Sequence, residues 1–284
     1  MSARSYKTIE VKPIAGALGA EIEGVDLSAA LSNEQFDDIH QAFLDHLVIF
    51  FREQNLTPEK HKEFGRRFGT LNIHPYVKGM DGHPEIMRIV KEPEDKLNFG
   101  GGWHSDMSFL EEPALGSILY AKDVPPYGGD TLWANQYLAY ETLSDGMKTT
   151  LAGLKAVHTA KAEYGREGHS AQKRKGMEVN RAEGDVPAYE HPVVRTHPET
   201  GRKGLYVNPA FTERFVGWTR RESQPLLQFL YEHCTQEPFT CRFRWTKGAL
   251  AFWDNRCTQH FALNDYHGHR REMERVTVNG DRPV

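Results

Sequence analysis

His104 and Asp106 stand two positions apart in Gly100-Gly-Gly-Trp-His-Ser-Asp106, His260 closes the run Trp253-Asp-Asn-Arg-Cys-Thr-Gln-His260, and Arg271 lies eleven residues further on. Two imidazoles and one carboxylate can cover one face of an Fe(II) ion and leave the opposite positions open, while a nearby arginine can hold an anionic co-substrate against the metal. That set points toward oxygenase chemistry. In a chain with fourteen histidines a His-x-Asp triplet is expected about once by chance, so the triplet alone has little weight. Its context adds some. Residues 103–109 read as a strand, and in extended chain i and i+2 share a face, so His104 and Asp106 would project to one side while Ser105 turns away. The plainer alternative is a half-buried strand with a hydrogen-bonded histidine and a solvated aspartate. His260 supplies a second signal, because residues 249–253 read as a short buried strand and Asp254-Asn255 as a turn behind it. Arg271 falls in the polar run 267–272, ahead of an apparent strand at 276–278. A guanidinium there could make a two-pronged bond to a carboxylate, or could simply be a surface arginine.

The elements that must position these groups follow from the spacing of apolar residues. Gly-punctuated apolar pairs at 11–25 predict short strands and turns. Ser32 and Gln35 form a capping-box pattern ahead of Phe36, Ile39, Phe43 and Leu47 at helical spacing, and the continuous apolar run 47–51 reads as a central strand. Thr57 followed by Pro58 starts a second helix that stops near Gly69. Strands are expected at 86–90, 103–109, 115–121, 131–134, 240–245, 250–253 and 276–278. Helical spacing returns at 136–154, and again after Thr219, where Glu222 completes another capping box. Many strands separated by Gly and Pro, with a few helices laid over them, predict a mainly β fold with helical insertions, a sandwich or jelly roll. A length of 284 residues suits one large core, so a single domain over 1–284 is the expectation. Two loops look functional. Residues 91–102 are charged and then glycine-rich, and 164–190 are dense in Lys, Arg, Glu and Gly, too poor in aliphatics to build core and a candidate lid.

Composition removes several classes. The net charge of -4, with basic residues scattered, disfavours a nucleic-acid partner. No stretch is long and apolar enough for a membrane span, and the N-terminus lacks the apolar core of a secretion signal, so a cytoplasmic location is expected. Cys234, Cys241 and Cys257 are odd in number without Cys-x-x-Cys spacing, which predicts reduced, buried thiols; Cys257, three residues before His260, is a weak candidate for a soft metal ligand.

Ordered blocks along the chain carry a resemblance. Gly16-Ala-Leu-Gly-Ala-Glu-Ile-Glu-Gly-Val-Asp26, Trp103-His-Ser-Asp106, Gly128-Gly-Asp-Thr-Leu-Trp133, His191-Pro-Val-Val-Arg-Thr-His-Pro198 and Trp253-Asp-Asn-Arg256 together resemble the taurine and dichlorophenoxyacetate dioxygenase family of Fe(II)/2-oxoglutarate-dependent oxygenases. The resemblance covers nearly the whole chain. It implies a double-stranded β-helix core, His104, Asp106 and His260 as iron ligands, and Thr131 and Arg271 on the distal carboxylate of 2-oxoglutarate. By the same resemblance His74, Gly100, Met107, Tyr164, Phe211 and Arg275 face the substrate, with Arg275 on its acidic group. Halogenating members of the superfamily lack the carboxylate found here as Asp106, which implies hydroxylation. The implied reaction uses O₂ and 2-oxoglutarate to hydroxylate a small acidic organic substrate, an organosulfonate such as taurine or an aryloxyalkanoate, with succinate and CO₂ as co-products. A homodimer or homotetramer is implied as well. The chain departs from the taurine enzymes at Gly100, where they carry asparagine, and at the aromatic pair Tyr164 and Phe211, where both are phenylalanine. Its segments 201–208 and 225–233 look closer to the phenoxypropionate dioxygenases. Two other readings of the residues remain: a metal-dependent hydrolase, which leaves Arg271 and Thr131 without a role, and a non-catalytic protein that binds small acids on the same scaffold.

Overall fold

The structure, a computed structural model, describes residues 6–165, 168, 176–182 and 184–284. Its strands are β1 (Glu10–Pro13), β2 (Ala20–Glu23), β3 (Val48–Phe51), β4 (Gly79–Met80), β5 (His83–Lys91), β6 (Ala114–Asp123), β7 (Thr131–Asn135), β8 (Lys155–Thr159), β9 (Ala188–Pro192), β10 (Val194–Thr196), β11 (Lys203–Leu205), β12 (Thr212–Phe215), β13 (Thr240–Phe243), β14 (Leu250–Asp254), β15 (Thr258–Ala262) and β16 (Arg271–Asn279). The helices are α1 (Asn33–His46), α2 (Pro58–Arg66), α3 (Gln136–Glu141), α4 (Asp145–Leu151), α5 (Lys161–Tyr164) and α6 (Arg220–Cys234). One large sheet runs β1-β2-β3-β14-β6-β16-β5-β4, and a smaller one runs β13-β7-β15. The two face each other as a jelly roll with helices laid on the outside.

Strand β14 shows how the layers are made. All of Leu250–Asp254 is buried, as a strand covered on both faces must be. Leu250 and Phe252 point to the helix side, where Phe252 stacks on Phe43 of α1 at 4.1 Å. Ala251 and Trp253 point to the smaller sheet, among Phe50, Trp133, Phe243 and Met273. Phe50 of β3 and Phe243 of β13 stack with centroids 4.0 Å apart and so join one sheet to the other. The capping boxes at Ser32 and Thr219 form as the sequence predicts, and Thr57 accepts from the Lys60 amide.

Four expectations need correction. Residues 103–109 are not a strand: only His104 pairs, in a single bridge with His260, and Met107 then takes φ +56°, which turns the chain. The helix expected over 136–154 is two, because Ser144 accepts from the Met147 amide and caps a new start. Arg271 opens β16 instead of lying in a polar run before it, and Lys91 belongs to β5. The segment 164–190 does contribute core. Tyr164 and Met177 are buried, with Val179 and Val186 packed beside them, and Val179 bridges to Val77. Part of the candidate lid, residues 166–167, 169–175 and 183, lies outside the described residues.

Candidate active site

His260 sits in β15, and its backbone exchanges two hydrogen bonds with that of His104, at 2.8 and 3.1 Å. That exchange fixes the imidazoles side by side, with ring centroids 4.1 Å apart. Asp106 reaches both rings: Oδ1 is 3.6 Å from His104 Nε2, and Oδ2 is 3.8 Å from His260 Nε2. All three side chains are buried. The Gly102 carbonyl lies 2.7 Å from His104 Nδ1, so that nitrogen carries the proton and Nε2 turns its lone pair inward.

The carboxylate is held from several directions. Arg275 Nη1 donates to Oδ1 at 2.7 Å, and the Ser117 hydroxyl donates to Oδ2 at 2.7 Å. Asn255 Oδ1 accepts from the Asp106 amide at 3.1 Å and from Trp253 Nε1 at 3.0 Å, while its Nδ2 donates to Ser117 Oγ at 3.1 Å. Burial alone would raise the pKa of Asp106, but the Arg275 guanidinium, backed by His260 and His104, overrides it and holds the carboxyl well below its ordinary range. Burial, helped by its neighbour His104, pushes His260 well below the usual imidazole value. Two imidazole nitrogens and a carboxylate oxygen converge here, and such hard and intermediate donors suit Fe(II).

Behind the trio, a narrow inner cavity is lined by Ile89, Leu119, Thr131, Trp253, His260 and Arg271, among others. Arg271 is buried, and its Nε and Nη2 have no hydrogen-bond partner among the described residues. Thr131 Oγ accepts from Trp245 Nε1 at 3.0 Å, which leaves its own hydroxyl hydrogen to give. The glycine pair before Thr131 explains why both groups fit. Gly128 and Gly129 have φ of +72° and +69°, and a Cβ on Gly129 would lie 3.2 Å from both Arg271 Cδ and Tyr266 Cδ1. Such a site, with unmatched buried donors at its end, can receive a carboxylate.

In front of the trio an outer cavity of about 400 Å³ opens to the surface. His74, Gly100, Met107, Tyr164, Phe211 and Arg275 all line it, with Phe99, Trp103 and Phe109 as further apolar wall. His74 Nδ1 accepts from the amides of Tyr76 and Val77, both at 3.1 Å, so the ring proton is on Nε2. Burial, and then the Arg275 charge, lower its pKa to about 3, which keeps it a neutral donor at ordinary pH. Gly100 has φ +75°, and a Cβ there would come within 3.3 Å of His104 Cε1, so a side chain at this position would press on the imidazole. Asn98, two residues earlier, lines the cavity instead and ties its loop to the Ala262 carbonyl at 2.7 Å.

Every other residue singled out from sequence for the site borders one of these two cavities, which share Phe99, Gly100, His104 and Arg275 as common wall. Cys257 does not join them. Its thiol lies in a second buried group with His197 and Asp254. There Asp254 is already bonded by His197 at 3.0 Å and by two nitrogens of Arg256, so its charge is spent within the protein. Ser117 and Asn255 were not visible as site residues, since a serine in an apolar strand and an asparagine in a turn carry no ligand-like spacing.

A jelly roll that encloses such a trio, with a carboxylate-ready arginine at its back, defines the class of Fe(II)/2-oxoglutarate-dependent oxygenases. The profile of the "Taurine catabolism dioxygenase TauD, TfdA family" matches residues 10–277, and the chain belongs to that family. An alpha-ketoglutarate-dependent sulfate ester dioxygenase of Pseudomonas putida is 36% identical, over 97% of this chain and 91% of its own. An alkylsulfatase of Acinetobacter baylyi is 35% identical, over 96% and 86%. Among solved structures, a taurine dioxygenase from Burkholderia xenovorans superposes with TM-score 0.83 at 41% identity, covering 98% of this chain and 93% of that one. The protein is therefore an Fe(II)- and 2-oxoglutarate-dependent dioxygenase that uses O₂ on a small acidic organic substrate. Among the described residues no helix is long and apolar enough to cross a membrane.

Proposed function

We propose that His104, Asp106 and His260 ligate the iron, that Arg271 and Thr131 hold the distal carboxylate of 2-oxoglutarate, and that the substrate is a sulfate ester or sulfonate with a hydrocarbon chain. One observation carries the substrate reading: at the trio the outer cavity offers donors, Arg275 and the Nε2–H of His74, while Met107, Phe109, Phe211, Phe99 and Trp103 make the rest largely apolar. Arg275 spends Nη1 on Asp106, and its Nε has no hydrogen-bond partner among the described residues. An anionic head needs such donors when it leaves water, and an alkyl tail gains from the apolar wall. A cavity of about 400 Å³ suits a molecule larger than a two-carbon sulfonate. The relatives named for alkyl sulfates and sulfate esters support this choice over aryloxyalkanoates.

With its co-substrates bound, the metal supplies the oxidation: 2-oxoglutarate loses CO₂ and becomes succinate as one oxygen atom enters a substrate C–H bond. Arg275 and His74 set which carbon that is, by fixing the anion. If the carbon bears the sulfate, the hydroxylated product releases sulfate and leaves an aldehyde. A hydrolase would leave Arg271 and its unmatched donors without a purpose. We also propose a single domain over 1–284, in keeping with the span of the family match, and work in the reducing cytoplasm, in keeping with three free buried thiols. Assembly as a dimer or tetramer is part of the same proposal, since the exposed Trp218 and Phe229 near α6 offer apolar surface for a second copy.

The test is succinate release and oxygen uptake by the protein with Fe(II), ascorbate and 2-oxoglutarate, across alkyl sulfates of increasing chain length, alkanesulfonates, taurine and aryloxyalkanoates. Acceleration should rise with chain length among the sulfates. Acceleration by taurine alone would overturn the substrate choice, and none by any compound would favour the non-catalytic reading.

A further inference from the structure

Lys91 is a buried ammonium for which the reaction described so far has no use. In the β5–β16 pair, Met87, Ile89 and Lys91 lie opposite Arg275, Met273 and Arg271. Residues two apart share a face, so these six form two adjacent rows on one side of the sheet. Ile89, Arg271 and Arg275 of those rows line the inner cavity, and Lys91, paired with Arg271, stands just beyond its lining. The residue is 4% exposed, and Nζ has no hydrogen-bond partner among the described residues. Nζ stands over an aromatic face, 4.6 Å from the ring centroid of Tyr266.

Tyr266 is itself buried and belongs to the same packing, since a Cβ on Gly129 would touch Tyr266 and Arg271 at equal distance. Two cations thus stand side by side across a strand pair. Within the protein, Tyr266 and Asp130 act on Arg271. Asp130 has its Oδ2 bonded to Arg242 at 2.7 Å, while its buried Oδ1 has no hydrogen-bond partner among the described residues, so one carboxylate faces two cations. A cation–π contact offsets only part of what a buried ammonium loses on leaving water, and like charges facing each other add to the cost. Such an arrangement is stabilised by an anion brought from outside, and at low dielectric a second cation acts on that anion even without touching it.

We propose that Lys91, seated on Tyr266, is a second cation of the 2-oxoglutarate pocket and helps it select a dicarboxylate over 2-oxo acids that lack the distal carboxylate. This rests on the assignment of Arg271 to the co-substrate. Lys91 is here a specificity residue that works through its field and through the placement of Tyr266, while Arg271 makes the direct bond.

The experiment measures equilibrium binding by calorimetry, without oxygen or substrate, on protein loaded with Mn(II) as a stand-in for iron. The ligands are 2-oxoglutarate and pyruvate, which share the keto acid head and differ in the distal carboxylate. Lys91→Met should weaken 2-oxoglutarate by about tenfold, the loss of one cation beside a desolvated anion, and leave pyruvate nearly unchanged. Lys91→Arg should stay close to the wild type. The metal-free Lys91→Met protein should also melt higher than the wild type, because an unmatched buried charge is gone. Equal affinity of Lys91→Met and wild type for 2-oxoglutarate would overturn the proposal, and so would a loss shared equally by pyruvate. If Lys91→Met does not fold, Lys91→Gln is read by the same criterion. Wild-type protein that fails to bind 2-oxoglutarate at all would instead remove the co-substrate assignment beneath it.

Discussion

Asp106 accepts from Arg275 on one oxygen and from Ser117 on the other, with Asn255 holding its amide, so its orientation is set before any metal arrives. Partners of this kind typically change metal affinity by ten- to a hundredfold when removed. Ser117→Ala should therefore weaken Fe(II) binding by about that factor in an anaerobic titration, and should also lower the unfolding midpoint, because Asp106 Oδ2 and Asn255 Nδ2 each lose a buried partner. Buried imidazoles set a pH dependence of a different sort. His61, fully buried with Nε2 on the Ile118 carbonyl, has its pKa lowered from 6.5 to about 4, chiefly by burial. His158 and His74 are lowered to about 3, again with burial first. The unfolded chain takes up these protons below about pH 6.5 and the folded chain does not, so their contribution is fully present above 6.5 and is lost as pH falls toward 4 and 3. His61 alone accounts for about 3 kcal/mol of that loss. Urea unfolding at stepped pH should show stability falling from 6.5 to 4, and His61→Gln should flatten the fall. His104, Asp106 and His260, the proposed metal ligands, were readable at this scale through the ordered blocks that surround them, since the His-x-Asp triplet alone has little weight. Ser117, Asn255 and Lys91 were not, because burial and the direction a side chain faces have no signature in spacing.

At the level of elements, the turn 128–129 and the stack between sheets do most to place the site. Gly129→Ala puts a methyl 3.2 Å from Arg271 and Tyr266 in a left-handed conformation, which costs about 1–2 kcal/mol in backbone strain. The variant should melt lower and bind 2-oxoglutarate more weakly, since Arg271 must shift to admit the methyl. Phe50→Ala removes the ring that stacks on Phe243 and edges Trp133 at 5.3 Å. A cost of about 3–5 kcal/mol is expected in urea unfolding, the range for a buried Phe truncation that leaves a cavity. Helix starts were legible because Ser32, Thr57 and Thr219 cap by local hydrogen bonds that a sequence states outright. The segment 103–109 was misread for the opposite reason. The segment reads as one of a run of strands, but pairing partners are nonlocal, and only His104 finds one. His104 and Asp106 converge through the Met107 turn and the bonds to Ser117 and Arg275, not through a shared strand face.

For the whole molecule, the class of fold followed from many short strands divided by Gly and Pro, whereas the strand order did not. That β14 would lie between β3 and β6, and β16 between β6 and β5, depends on contacts across nearly the full length of the chain. The segment 164–190 looked too polar for core, yet Tyr164 stacks on Tyr76 at 4.7 Å, and Met177 joins the apolar group under the outer cavity. A few apolar residues spread through a charged stretch are enough to fasten it. The central claim is that folding gathers His104, Asp106 and His260 about one ferrous ion with room for a chelating keto acid. Its most direct measurement is the visible charge-transfer absorption that appears when apo protein is titrated anaerobically with Fe(II) in the presence of 2-oxoglutarate. The band should saturate at one iron per chain, and it should vanish in His104→Ala and His260→Ala proteins that remain folded. A band of full intensity in either variant would contradict the account.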